Sequence, residues 1–185
     1  NISTVFPSVL KKSMLSFEQQ LTDIVKGFRA LNSWSNVFQG NRASPLVAEI
    51  FMDMYTSLQF SLFGLYKYAD MALRSALEGA LNLAYFHTHE VEFNWWEKDM
   101  DWYLLDKSQH AWGKDYDYFA NIERSLGLGQ KESVVSDIRD QYRKLSKSIH
   151  GSKKNMQITA NKLSPSLDKG RLGTWINKAK GTLSI

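Results

Sequence analysis

The stretch MALRSALEGALNLAYF, residues 71–86, lies in the most apolar part of the chain. The surrounding residues 45–89 contain no proline after Pro45 and are dense in Leu, Met, Ala, Phe and Tyr. This composition favours helix over the whole segment. Because Gly64 interrupts the run, the pattern predicts either one very long helix or two helices that separate near Gly64.

Charged side chains within this apolar region argue against a membrane span. Residues 58–85 contain Lys67, Asp70, Arg74 and Glu78, and each would be costly in hydrocarbon. We therefore predict a buried helix of a soluble bundle with no membrane contact. The chain has 185 residues, which suits one buried core, and it has no cysteine, so disulfides and thiolate metal sites are excluded. We expect a cytoplasmic protein.

Helical periodicity recurs in the rest of the chain, and no β-alternation of useful length occurs. Residues 9–31 carry apolar side chains three and four positions apart, namely Leu10, Met14, Phe17, Leu21, Ile24, Phe28 and Leu31. Further helices are predicted over residues 91–112, 115–126, 131–150 and 169–180. Glycines 127, 129 and 151 follow two of these segments and suit left-handed positions after a helix.

These segments predict an all-α protein. Residues 1–44 form an N-terminal helix and loop that pack on the bundle, residues 45–151 form the bundle, and residues 152–185 form a basic C-terminal extension. We expect these three parts to make one structural domain overall.

The charge of the chain is divided unevenly. Residues 139–185 contain eleven Lys/Arg and two acids, a local net of +9, whereas the whole chain has +4 and residues 1–138 therefore sum to −5. A basic segment of this kind is typical of a nucleic-acid footprint, although a solvated basic surface is the alternative.

Arg143 and His150 lie at the start of this basic segment, seven residues apart. On a helix that spacing is two turns, so both side chains project from one face, about 10 Å apart along the axis. A cation beside a titratable imidazole suits the binding or cleavage of a phosphodiester. The spacing alone is a weak motif, and a helix-end histidine beside a solvated arginine is the alternative.

A helical wheel places Arg139, Arg143, Ser146 and His150 next to one another, on an arc that borders the apolar stripe of this helix. The members of that stripe are Val134, Ile138, Tyr142, Leu145 and Ile149. The wheel places Asp140, Lys144 and Lys147 farther out, toward solvent. We therefore expect the Arg/His row to border the core, where a cleft or a second subunit could cover it.

Arg74 and Glu78 are four residues apart in the apolar region. They could form an intrahelical ion pair on an exposed edge, worth only about 0.3 to 0.5 kcal/mol. Alternatively, burial of Glu78 would favour a cation from another helix, and Arg143 or His150 is the expected partner.

Two other clusters suggest chemistry less strongly. His87, His89 and Glu90 include residue types that bind zinc, but side chains two apart on a helix point in nearly opposite directions, so no metal is expected. The aromatic residues in 93–112 could stack bases, but core packing or an oligomer interface is the commoner role.

Residues 71–86, together with YRKLSKSIHG at residues 142–151, resemble the HEPN superfamily of all-α domains. Members of this superfamily have a helical bundle with an Arg, four to six intervening residues and a His near the end of a late helix. Here six residues intervene. The resemblance covers roughly residues 50–151.

The resemblance implies a metal-independent endoribonuclease of a toxin–antitoxin, abortive-infection or other antiviral defence system. Such proteins dimerise so that two Arg/His motifs form one composite cleft. It also implies RNA as substrate, a homodimer, an antitoxin or defence protein as partner, and no cofactor. Lys144 stands where active members often carry a small polar residue, so the alternative is a catalytically inactive module that binds nucleic acid or protein.

The same resemblance assigns roles to individual residues. His150 would act as general base toward the ribose 2′-OH or as acid toward the leaving oxygen, Arg143 would hold the phosphate, and Glu78 would orient either of them. The residues expected to contact the RNA substrate are Arg74, Arg139, Ser146, Lys147, Lys153 and Lys154.

Overall fold

The computed structural model of the chain describes residues 2–98, 118–127, 134–149 and 166–184. These residues form eight α-helices and no strand, which confirms the all-α prediction. In chain order the helices are α1 Ile2–Ser16, α2 Glu18–Val37, α3 Pro45–Leu62, α4 Tyr66–Phe86, α5 Glu90–Glu97, α6 Tyr118–Ser125, α7 Val134–Ile149 and α8 Lys169–Leu183.

The N-terminal region contains two helices and not the single helix predicted over residues 9–31. The chain leaves helical geometry at Phe17, where φ is −140° and ψ is 29°, so α1 ends and α2 begins on either side of it. The buried face of α2 includes Leu21, Ile24 and Phe28, as the periodicity indicates. Met14 does not continue that face, since 52% of its surface is exposed.

Gly64 separates α3 from α4, which settles the choice between one helix and two. Its φ of +76° lies in the left-handed region that favours glycine. A Cβ atom added at this position would lie 2.5 Å from the backbone oxygen of Ser166. Both the backbone conformation and the close approach of a second segment therefore require glycine.

Helix α4 lies at the centre of the bundle. It packs along α3 and also contacts α7 and α8. Leu73, Ala76 and Leu77 have 1% or less of their surface exposed, so small and large apolar residues of the stretch 71–86 both belong to the core. The core also receives side chains from α2, α3, α5, α7 and α8.

Helix α8 is part of this core, although residues 152–185 were expected to form an extension. Leu172 and Trp175 are at most 1% exposed, and the indole Nε1 of Trp175 donates to Ser57 Oγ of α3 at 2.9 Å. Asp168 caps the N-terminus of α8 by accepting a hydrogen bond from the Arg171 amide at 3.0 Å. None of the described helices is both long and apolar enough to cross a bilayer.

Candidate functional site

Helix α7 presents two different faces. Ile138 and Leu145 are at most 3% exposed and pack into the core, whereas Arg139, Arg143 and Lys147 are exposed. The three cations occur at i, i+4 and i+8, so they follow one another along the helix with a rise of about 6 Å between neighbours. The arrangement is an exposed cationic stripe on one side of α7.

Arg143 lies on the solvent side of α7 and does not border the core as the wheel predicted. Its side chain is 69% exposed, and its Nη1 atom lies 3.2 Å from Oδ1 of Asp140, a carboxylate that is itself 58% exposed. An exposed ion pair of this kind contributes little stability. The guanidinium is therefore accessible to an anion from solution.

Three of the predicted site residues, His150, Lys153 and Lys154, lie outside the described residues. The geometry of the Arg143/His150 pair stays a prediction, as do the contacts of the two lysines.

Glu78 belongs to a cluster on α4 and α7 that does not include Arg143 among its described contacts. Glu78 Oε1 lies 2.9 Å from Nε of Arg74. This is the intrahelical ion pair, the first of the two predicted alternatives for Glu78. Arg74 also donates a hydrogen bond from Nη2 to the hydroxyl of Tyr142, and its Cζ lies 4.7 Å from the centre of the Tyr142 ring. The cation that Glu78 meets thus comes from its own helix, and Tyr142 provides the link to α7.

The Tyr142 hydroxyl in this cluster is held in its neutral form. Burial raises the pKa of Tyr142 above its ordinary value, the negative charge of Glu78 raises it further, and Arg74 opposes both effects. Only 24% of the Arg74 side chain is exposed, and its Nε and Nη2 atoms are engaged with Glu78 and Tyr142. The arrangement therefore suits the joining of two helices better than contact with a substrate.

Ser146 also differs from its predicted role in substrate binding. Its Oγ atom is buried and has no hydrogen-bond partner among the described residues. The hydroxyl therefore lies under the surface of the bundle and not on the cationic stripe.

Several cations of the basic C-terminal segment pair with acids of this chain. Lys178 Nζ lies 2.7 Å from Asp70 Oδ2, and Lys180 Nζ lies 3.3 Å from Asp23 Oδ2. Arg171 pairs with Asp168 at 3.6 Å. Two of the acids come from the acidic first part of the chain, so a portion of the charge separation seen in the sequence is neutralised by folding.

The two histidines near the end of α4 have separate partners. His87 Nδ1 lies 3.0 Å from Nδ2 of Asn41, while His89 stacks on Tyr85 at 3.9 Å and its Nδ1 lies 2.8 Å from the Tyr85 carbonyl oxygen. In the part of the chain that the structure describes, no group of three or more His, Asp or Glu could hold a metal ion.

The aromatic residues of α5 are divided between core and surface. Phe93 is 4% exposed, and Trp96 packs on Phe86 with 5.5 Å between ring centres, as expected of core aromatics. Trp95 is 39% exposed. The remaining aromatics of the predicted band, Trp102, Tyr103 and Trp112, lie outside the described residues.

Two residues that form polar contacts between packed helices were not predicted from the sequence. Asp70 was read only as a charge unsuited to a membrane, yet it forms the buried pair with Lys178. Tyr142 was counted as part of the apolar stripe, and its hydroxyl was the only signal of a polar role.

Comparison with models of protein families, with curated proteins and with solved structures gives no match.

Proposed function

We propose that this chain is a HEPN-like helical module that binds RNA through the exposed cationic stripe Arg139, Arg143 and Lys147 of α7. The observation that carries the proposal is the exposure of Arg143, whose guanidinium is 69% accessible and whose described ion-pair partner is the exposed Asp140. A phosphate can replace this weakly held carboxylate, because charge-assisted hydrogen bonds from arginine suit phosphate oxygens.

The position of the stripe supports a nucleic acid as the anion. Three cations at intervals of about 6 Å along one helix face form an extended array, which fits a polyanion better than a single small anion. Residues 143–147 contain three cations and no acid, so the positive charge is concentrated toward the C-terminal end of α7.

The binding proposal is tested by titrating the protein with fluorescein-labelled single-stranded RNA at several salt concentrations. Replacing Arg139, Arg143 and Lys147 together by alanine removes three phosphate contacts. The slope of the logarithm of the binding constant against the logarithm of the salt concentration should therefore become shallower by about 2. Replacing Lys12, an exposed lysine of α1, by alanine is the control and should leave the slope unchanged. Absence of RNA affinity at low salt would overturn the proposal.

Asp140 provides a second test of the same surface. Because its carboxylate competes with phosphate for Arg143, the variant Asp140→Asn should bind RNA more tightly than the wild type. A weaker complex would mean that Asp140 holds Arg143 in the orientation that RNA requires, and not that it competes.

Cleavage of RNA is the second candidate function, and the accessibility of Arg143 favours it as well. In this mechanism a base, His150, accepts the proton of a ribose 2′-OH, the 2′-oxygen attacks the adjacent phosphorus, and the 5′-oxygen leaves with a proton from an acid. Arg143 stabilises the charge on the phosphate oxygens. No metal ion takes part in these steps.

Incubation of RNA with the purified protein in EDTA separates binding from cleavage. Products formed by the wild type, but by neither Arg143→Ala nor His150→Ala, would support catalysis. Intact RNA would restrict the function to binding, and equal cleavage by all three proteins would contradict a role for this pair.

A further inference from the structure

A groove of about 450 Å³ lies between α1 and α2. Its α2 side is formed by Glu18, Leu21, Thr22, Val25, Lys26 and Arg29. The end of α1 contributes two more apolar side chains, Met14 and Leu15. The groove is distant in sequence from α7 and lies outside residues 50–151.

Three of the four apolar side chains of this groove are open to solvent, whereas Leu21 is buried. Leu15 is 70% exposed, Met14 is 52% exposed and Val25 is 40% exposed. They adjoin one another along one depression of the surface. A contiguous apolar patch with a polar rim is typical of an interaction surface.

The six α2 residues are distributed symmetrically along the helix. Glu18 and Arg29 are equally far from the point midway between residues 23 and 24, and so are Leu21 and Lys26, and Thr22 and Val25. A twofold axis through that point would place a second α2 antiparallel to the first. Glu18 would then face Arg29 of the partner, and Thr22 would face Val25, so residues of different chemistry meet as an isologous interface needs. Leu21 is buried in its own chain and takes no part in these contacts.

We propose that a second copy of this chain occupies the groove, in a homodimer whose twofold axis crosses α2 between residues 23 and 24. Glu18 of each protomer pairs with Arg29 of the other, so the interface contains two equivalent ion pairs. Parallel packing would instead bring Glu18 of one protomer toward Glu18 of the other. The charges therefore favour the antiparallel arrangement.

The local contacts of these residues suit this arrangement. Within the described residues, neither Glu18 nor Arg29 forms a side-chain ion pair. The hydroxyl of Thr22 donates to the Glu18 carbonyl oxygen at 2.9 Å, so its proton is used within the helix and its methyl group can pack on Val25 of the partner.

The length of the interface limits the crossing angle. Glu18 and Arg29 are separated by about 16 Å along the axis. Both ion pairs can form together only if the two helices cross at a shallow angle of about 20°, a common class of helix packing. This dimer differs from the composite Arg143/His150 cleft, and it does not depend on the proposal that the chain binds RNA.

Charge reversal tests the interface by sedimentation equilibrium. Glu18→Arg and Arg29→Glu each convert both ion pairs into like-charge contacts. The dimer dissociation constant of each single variant should therefore be about tenfold higher than that of the wild type, or more. The double variant restores opposite charges and should recover the wild-type constant within about threefold. Glu49→Arg, an exposed substitution on α3, is the matched control and should leave the dimer unchanged.

Mixing the two single variants gives the sharper result. In the mixed dimer both contacts become attractive, so the two weakened proteins should associate with each other more tightly than either does with itself. Circular dichroism of each variant establishes that the helices are intact. A wild-type protein that is monomeric at all concentrations, or single variants that dimerise as well as the wild type, would overturn the proposal.

Discussion

Lys178 Nζ on α8 lies 2.7 Å from Asp70 Oδ2 on α4, with the two side chains only 13% and 9% exposed. The other carboxylate oxygen, Oδ1, is buried without a hydrogen-bond partner among the described residues. The pair joins the last helix to the central one, and Lys178 neutralises a carboxylate that has little access to water.

Removal of Lys178 should therefore be strongly destabilising. Lys178→Met leaves Asp70 buried and uncompensated, and we expect a loss of about 3 to 5 kcal/mol in the free energy of unfolding, measured with urea. The double variant Asp70→Leu with Lys178→Met should recover most of this loss. Lys180→Met removes the half-exposed pair with Asp23 and should cost no more than about 1 kcal/mol. Equal losses for Lys178→Met and Lys180→Met would contradict the role assigned to burial.

Gly64 lies in the connection between α3 and α4, and Gly40, in the connection between α2 and α3, is its matched control. Both have positive φ, +76° and +83°, but an added Cβ meets Ser166 at position 64 and nothing within 4 Å at position 40. Gly40→Ala should cost about 1 to 2 kcal/mol through backbone conformation alone. Gly64→Ala carries the same cost and a backbone clash, so it should be about 1 to 3 kcal/mol worse. Chemical denaturation of both variants measures the difference, and similar values would show that Ser166 moves away freely.

The contact between Arg74 and Tyr142 should stabilise the packing of α4 on α7. A double-mutant cycle with Arg74→Met and Tyr142→Leu should give a coupling of about 0.5 to 2 kcal/mol, because the guanidinium is partly removed from water. The same cycle with Arg74→Met and Glu78→Gln should give about 0.5 kcal/mol or less, as expected of an i, i+4 pair at the surface. Tyr142→Phe retains the ring and should keep part of the coupling. The reverse order of the two couplings would contradict this account.

Stability should decrease in alkali because of two tyrosines. Burial raises the pKa of Tyr66, and burial together with Glu78 raises the pKa of Tyr142, so each folded-state pKa lies above the unfolded value of about 10. A raised pKa means that the folded state holds the proton more tightly. The stabilisation is then complete below about pH 10 and is lost as pH rises through the folded-state pKa.

Urea unfolding of the wild type, Tyr66→Phe and Tyr142→Phe between pH 7 and pH 11.5 tests this prediction. The difference between the wild type and each variant should be constant up to about pH 9 and should shrink above pH 10. A constant difference across the whole range would show that neither hydroxyl titrates with a shifted pKa.

The positions of the helices could largely be predicted from the sequence, since helical periodicity, proline and glycine act within a few residues. Pro45 begins α3, Gly64 lies in the connection that follows it, and Gly127 with φ of +67° follows α6 as its position indicates. The break at Phe17 was missed, because no proline or glycine marks it. The wheel identified the apolar face of α7 but placed Arg143 too close to the core.

What the sequence by itself determined is the all-α class, the apolar centre around residues 71–86 and the presence of an arginine and a histidine seven residues apart. The tertiary structure alone decided that Asp70 meets Lys178, that Arg74 meets Tyr142 and that Arg143 faces solvent. The physical reason is range. Helix formation depends on residues within one or two turns, whereas a buried charge is neutralised by whichever cation packing brings near, here one 108 positions away.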